Sequence, residues 1–324
     1  MHLPARPRLR GLLLSCGAAL SALLPAVYVR AQDQPIIRTE TRLVVLHATV
    51  MDKGGHFVDN LPQNAFKVFE NGVQQQLKVF KREDVPVSMG ILLDDSGSMR
   101  DKRAKVAAAA MGLVKASNPK DEVFVVNFND VAYLDVPFTN EQSKMEEGLS
   151  RIDSRGGTAM RDAISMSIDY MKSKGKKDKK VLFIVTDGND TASAETLERT
   201  VQRVRQSEVL IYSIALLNEE EPREAKKAQR SLRTLSDVTG GQVYYPKELA
   251  EVEPLALRVA QEIRNQYILA YTPSIAELDG SFRQVKVTVN GPGHPQVRTR
   301  NGYYATAAGT AQAAANPGGG PANR

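Results

Sequence analysis

Two nearly unbroken apolar runs, Val87–Leu93 and Val181–Val185, each end in acid. Asp94-Asp95-Ser96-Gly97-Ser98 follows the first, and Thr186-Asp187-Gly188-Asn189-Asp190 follows the second. A strand that is apolar on both faces belongs inside a parallel sheet covered by helices, because a sheet with one wet face alternates. The intervening sequence supplies those helices. Val106, Ala110, Leu113 and Val114 share one helical stripe that stops at Asn118-Pro119, and Met160, Ile164, Ile168 and Met171 share another. Val123–Phe128 and Val209–Leu216 read as further strands, and Gln242–Tyr245 as a short one. Ser193 is placed to cap a helix carrying Leu197, Val201 and Val204. A helix opening at Glu219–Arg230 closes at Gly240-Gly241, and a last one spans Glu248–Ile263. Lys172 to Lys180 reads as a solvated basic connection. The alternation predicts an α/β domain over residues 85–264.

On either side of that domain the period falls to two. Val44, Leu46, Ala48 and Val50 alternate with other residues, as do Tyr267, Leu269 and Tyr271, and Val285, Val287 and Val289. Asn71-Gly72 between strand-like runs is a hairpin signal, since both residues tolerate positive φ. Each flank has too few strands to close a core alone. The expectation is one small β-sandwich built from residues 32–84 and 265–305, with the α/β domain inserted between its halves.

Residues 1–31 read as a secretory signal peptide: Arg6, Arg8 and Arg10 precede an apolar run from Gly11 to Val29, which ends at Val29-Arg30-Ala31. The predicted product is exported, periplasmic or extracellular, with no membrane span once the signal is cleaved. The tail 306–324 is mostly Ala, Gly, Pro and Asn, and is expected to be disordered. The formal charge of +6 falls to +2 without the leader, because its four arginines leave 39 basic against 37 acidic residues. That balance gives no electrostatic case for nucleic acid. The single cysteine, Cys16, lies in the leader, so the mature chain forms no disulfide and no thiolate zinc site.

Ligands of an open parallel sheet bind beyond the carboxyl ends of its strands, where the strand order switches. Asp94, Ser96, Ser98 and Asp187 lie on two such ends, and the loop Arg155-Gly156-Gly157-Thr158 can bring a third hydroxyl, Thr158. Gly97 is expected to permit a tight turn that aims both serines inward. Carboxylates and hydroxyls without imidazole or thiolate describe a hard-cation site for Mg2+ or Mn2+, with Ca2+ as a further option. Few anionic ligands leave such an ion electrophilic, able to accept a carboxylate from outside. Asp95 stands at the variable position, either facing away or adding charge. Asn189 and Asp190 read as a helix-initiating turn.

The ordered set Asp94-x-Ser96-x-Ser98, Thr158 and Asp187 resembles the metal-ion-dependent adhesion site of the von Willebrand factor type A (VWA) domain. The resemblance covers about 85 to 264, and the flanking β segments with Asn301-Gly302-Tyr303-Tyr304 also resemble secreted bacterial VWFA-related proteins. It implies a Rossmann-like VWA sheet of about six strands with an antiparallel edge strand at Ala132 to Val136. It implies Ser96 and Ser98 as direct ligands, and Thr158 as direct or water-mediated according to ligand state. Asp94 and Asp187 would act through water or directly. All five motif positions are retained.

The function expected from this reading is metal-dependent protein binding of the adhesion type, with a partner Asp or Glu carboxylate completing the ion's shell. The Glu248–Ile263 helix would shift with occupancy and couple the site to the sandwich. Catalysis is not expected: the α/β domain has no histidine, no G-x-S-x-G elbow and no phosphate-cradling loop. His47, His56 and His294 lie in the flanks and read as surface or packing residues. The alternative is an envelope scaffold that works through its β-sandwich, with the metal only structural.

Overall fold

The computed structural model describes residues 42–151, 153–306 and 311–312. The leader 1–31 lies outside the described residues, as does most of the tail. Within that tail, Ala311–Gln312 pairs antiparallel with Arg42–Leu43, a contact the sequence reading did not provide for.

Fifteen strands and six α-helices are present among the described residues. The strands are β1 (Arg42–Met51), β2 (Phe66–Glu70), β3 (Val73–Gln75), β4 (Leu77–Lys81), β5 (Val87–Asp94), β6 (Glu122–Phe128), β7 (Ala132–Thr139) and β8 (Lys179–Thr186). They continue as β9 (Leu210–Ala215), β10 (Gln242–Tyr244), β11 (Tyr267–Tyr271), β12 (Phe282–Val289), β13 (Gln296–Arg298), β14 (Gly302–Tyr304) and β15 (Ala311–Gln312). The helices are α1 (Arg103–Lys115), α2 (Gln142–Ser150), α3 (Met160–Lys174), α4 (Leu197–Arg205), α5 (Pro222–Thr239) and α6 (Val252–Arg264).

The six-stranded sheet has the order β10-β9-β8-β5-β6-β7. All its pairings are parallel except that of β7 with β6, so the expected antiparallel edge is present and extends to Thr139. Every residue of β5 is buried, which accounts for its unbroken apolar reading. Alternate residues serve opposite layers. Met89, Ile91 and Leu93 pack with α1 and α6, while Leu92 packs with α3 and α5. Gly90 has a steric reason to be glycine, since a Cβ there would sit 2.4 Å from the Phe124 ring and 2.7 Å from Leu182.

The remaining strands form two antiparallel sheets, β13-β1-β11-β4 with β15 beside β1, and β14-β12-β2-β3. They enclose one core that draws Val44, Leu46 and Val68 from before the inserted domain and Tyr267, Val285 and Tyr303 from after it. The β2–β3 turn has φ of 47° at Asn71 and 83° at Gly72, the primed geometry that Asn-Gly favours. The chain leaves the sandwich from β4 and returns in β11, and these strands are hydrogen-bonded neighbours, with Phe80 opposite Leu269.

Two local expectations give way, and one helix is new. Ser193 does not cap α4: Thr196 does, its hydroxyl accepting from the Arg199 N–H at 3.3 Å. Ser193 is held instead by Asp190, to which its hydroxyl donates at 2.8 Å. The basic stretch is not wholly solvated, because β8 starts at Lys179, which is 4% exposed and donates to the Ile263 carbonyl. Helix α2 had no sequence forecast, since only Met145 and Leu149 mark its apolar side.

One further network ties α6 to the sandwich. Glu262 is fully buried and accepts from Tyr212 at 2.9 Å, Tyr244 at 3.0 Å, Thr49 at 3.1 Å and Arg298. Arg298 and Thr49 belong to β13 and β1, so the end of α6 is bonded to both. Among the described residues, no helix is long and apolar enough to cross a membrane.

Candidate metal centre

β5 and β8 are adjacent in the sheet, and the chain runs from β5 to β6 on one side and later to β8 on the other. Their carboxyl ends therefore form the switch point, and Asp94 and Asp187 meet there. Asp94 is fully buried. One of its oxygens accepts from the Ser96 N–H at 2.9 Å, the other from the Thr186 hydroxyl at 2.5 Å. Burial pushes the Asp94 carboxyl up to about 7, against the lowering effect of those hydrogen bonds and with a further push from the Asp187 charge.

Ser96, Ser98 and Asp187 form a chain. The two serine hydroxyls are 3.2 Å apart, and Ser98 donates to Asp187 at 2.8 Å. The glycine that makes this turn possible is not Gly97. Gly97 has no positive φ, and a Cβ on it would make only an ordinary 3.7 Å contact. Its N–H instead donates to Gly156 at 3.2 Å, docking the third loop onto the serine turn. The requirement falls on Gly156, with φ of 68° and no room for a Cβ, which would lie 2.1 Å from Asp130. Thr158 sits two residues on and is 5% exposed; its backbone is held by Thr191, whose hydroxyl accepts the Thr158 N–H at 3.1 Å.

Asp95 faces away from this cluster. It accepts from the Ser154 hydroxyl at 2.8 Å, the Asp153 N–H at 3.1 Å and Tyr133 at 3.2 Å, and lies 3.5 Å from the buried Arg103 guanidinium. Its work is to fix the approach to the Gly156 loop. Asp190 accepts the Arg161 N–H at the start of α3 at 2.7 Å and pairs with the Arg161 side chain at 2.9 Å. Asn189 donates to Glu224 at 3.0 Å. These two residues brace helices α3 and α5.

The sequence reading missed Lys102 and the acids after β9. Lys102 lies 2.8 Å from Asp187 and 2.6 Å from Glu219. Burial alone would lower the lysine pKa, but its bonds to Asp187 and Glu219 outweigh this and hold it above its usual value. Glu219 is held below the usual carboxylate range by Lys102. Glu220 is pushed up by burial and by the Asp187 charge. The signal was present: Glu219-Glu220 follows β9, the neighbour of β8, so the same carboxyl-end rule points to it.

The donor set fits a hard cation. It offers two converging carboxylates and neutral hydroxyls, one carboxyl destabilised as an anion, and an ammonium already lying on the other. Among the described residues no group of three or more His, Cys, Asp and Glu side chains assembles as a ligand cluster.

A mostly parallel sheet with this loop constellation at its switch point defines a class of α/β domain built to present polar side chains at one pole. The family model described as von Willebrand factor type A domain matches residues 89–189, and the chain carries a domain of that family. An uncharacterized protein of Synechocystis sp. is 28% identical over 130 residues, covering 36% of this chain and 30% of that protein. Calcium-activated chloride channel regulator 1 of Equus caballus is 25% identical over 169 residues, covering 50% of this chain and 17% of that protein. The matches thus span less than a third of either relative's length. Among solved structures, a von Willebrand factor type A protein from Catenulispora acidiphila aligns with a TM-score of 0.49 at 12% identity, covering 80% of this chain and 73% of that one.

Proposed function

We propose that the chain is an exported, non-catalytic binding protein whose VWA domain holds a divalent cation, Mg2+ or Mn2+ or else Ca2+, and uses it to capture a carboxylate of a protein partner. Asp94, Ser96, Ser98, Thr158 and Asp187 would hold the ion. Bound there, it would supply a Lewis-acidic coordination position. The residues around it do the rest. Asp95 and the Gly97–Gly156 contact fix the loops, so that the hydroxyls are in place before a ligand arrives. Two carboxylates balance the charge of a divalent ion and the three hydroxyls add none, so the ion is not overcompensated and keeps a position open to an outside carboxylate. The observation that carries this reading is the Ser96–Ser98–Asp187 chain beside a buried Asp94, with Lys102 lying on Asp187 as a cation would.

The test is calorimetric titration of the purified chain with Mg2+, Mn2+ and Ca2+, beside Asp187→Ala and Ser96→Ala. Saturable binding in wild type and loss in both folded variants is expected. An ion at about 100 times its dissociation constant also adds about 2.7 kcal/mol of stability. Metal-dependent retention of an Asp- or Glu-bearing peptide library, lost on chelation, extends the test to the partner. No binding by a folded wild type refutes the reading and leaves the sandwich as the working surface.

A further inference from the structure

At the pole opposite Asp94, where the strands of the inserted sheet begin, a cleft of about 910 Å³ lies between those strand starts and the sandwich. One wall is the outer face of β1, β4 and β11. Leu43 and Val45 alternate there with the core residues Val44 and Leu46, so they turn their side chains away from the sandwich interior. Val79 and Ile268 line the same wall, and Val209 and Leu210 the facing one. The rest of the lining is strongly basic. Seven lysine and arginine side chains contribute, against the three acids Glu83, Asp178 and Glu208.

Several of these basic groups have unmet hydrogen-bonding capacity. Arg300 is only 9% exposed, and one nitrogen reaches Glu208 at 3.2 Å, yet its Nε and second terminal nitrogen have no partner. Arg205 Nε and His47 Nδ1 on the same lining are also unpartnered. Buried donors without acceptors are rare, and a charged one is costly. Three such atoms on two arginines around one cleft, with an unpartnered His47 ring nitrogen beside them, indicate a missing acceptor, although the Arg205 guanidinium also lies 4.9 Å from the Phe282 ring centroid. Burial, with Lys179 and Arg300 nearby, holds His47 neutral, so it offers a polar ring and no added charge.

We propose that this cleft binds a small amphiphilic anion, a carboxylate or phosphate head carrying a short apolar chain, with the head at Arg300 and the chain along Val45 and Ile268. A bare inorganic anion would leave the apolar walls wet, and a neutral apolar molecule would leave two Arg300 nitrogens without an acceptor, since Glu208 engages only the third. The volume lies within the range of small-molecule sites. The site is separate from the cation centre and does not depend on it.

The experiment is calorimetry and thermal unfolding of the purified chain with octanoate, octyl phosphate, 1-octanol and inorganic phosphate. Saturable binding of octanoate or octyl phosphate is expected, the tighter of the two identifying the head group. 1-Octanol and inorganic phosphate should each bind at least about tenfold more weakly. Arg300→Gln should weaken the amphiphile about tenfold, as expected for a charge-assisted hydrogen bond, whereas Lys226→Gln outside the cleft should not. If Arg300→Gln fails to fold by circular dichroism, the pair Lys177→Gln and Lys180→Gln replaces it with the same expectation. The proposal is overturned by no saturable amphiphile binding in folded wild type, by 1-octanol or inorganic phosphate binding as tightly, or by unchanged affinity in the folded cleft variant.

Discussion

Replacing Lys102 with methionine should tighten divalent-cation binding while weakening the metal-free protein. The ammonium lies 2.8 Å from Asp187 and 2.6 Å from Glu219, so an ion taken up by Asp187 must share or displace it. Two unit charges about 4 Å apart interact with about 1 kcal/mol in bulk water and about 4 kcal/mol at a protein surface, and a divalent ion doubles either figure. Glu219 is 76% exposed on its side chain, so Lys102 can swing outward with it and shed most of the repulsion. The lower bound, about 2 kcal/mol or roughly 30-fold in affinity, is therefore the expected gain. Without metal the same substitution strands Asp187, 1% exposed on its side chain, and should cost about 1–3 kcal/mol. Mg2+ titration at low salt, with melting curves with and without chelator, reads both signs. Affinity within about threefold of wild type in a folded variant would refute the picture of a lysine competing for the site.

The pH response follows from Asp94, whose carboxyl is raised to about 7 by burial. In metal-free protein its contribution to stability is fully present below the ordinary carboxylate pKa and is lost as pH rises through about 7. Metal binding needs the anion, so Mg2+ affinity should climb about tenfold per pH unit below about 7 and level off above it. Calorimetry across that range checks the slope, and a flat profile contradicts it. Asp95→Ala should destabilise by about 3–5 kcal/mol by leaving Arg103 buried beside an empty position, measured by urea unfolding. Gly241→Ala should cost at least about 1–3 kcal/mol, since its Cβ would meet the Ile211 carbonyl oxygen at 1.9 Å; unchanged stability would mean that β9 yields freely there.

The fold was legible where burial is two-sided or strictly one-sided. Val87–Leu93 reads as an interior strand and Val44–Val50 as a strand of alternating faces, so the change of period marks where the parallel sheet gives way to the antiparallel ones. Asp94, Ser96, Ser98 and Asp187 were legible because they follow strand ends. The structure places them in one hydrogen-bonded cluster. Helix α2 was not legible, because two apolar residues in nine carry no usable periodicity. Lys102 was not, because its role depends on how α1 is aimed over the turn, a tertiary property. Ser193 was misread because Thr196, three residues on, has the same capping chemistry, and Asp190 had already engaged Ser193. Gly97 was misread because glycine in a turn suggests positive φ, whereas the strained position lies in a loop some sixty residues away, at Gly156.

From the sandwich's side, the whole VWA domain is the loop of a hairpin whose arms are β4 and β11. Every strand paired with β1 also lies beyond the insertion, namely β11, β13 and β15, and only a bridge from Met51 to Phe57 ties its end to residues before it. During synthesis the earliest described strand therefore emerges with no partner strand and waits until the inserted domain is complete. Closing so long an unstructured loop is entropically unfavourable and slow. A folded insert removes that obstacle, because it holds its two ends close together. The order of events is thus written into the connectivity: the β2–β3 hairpin can close locally, the inserted sheet forms on its own, and β1, the first described strand, zips last.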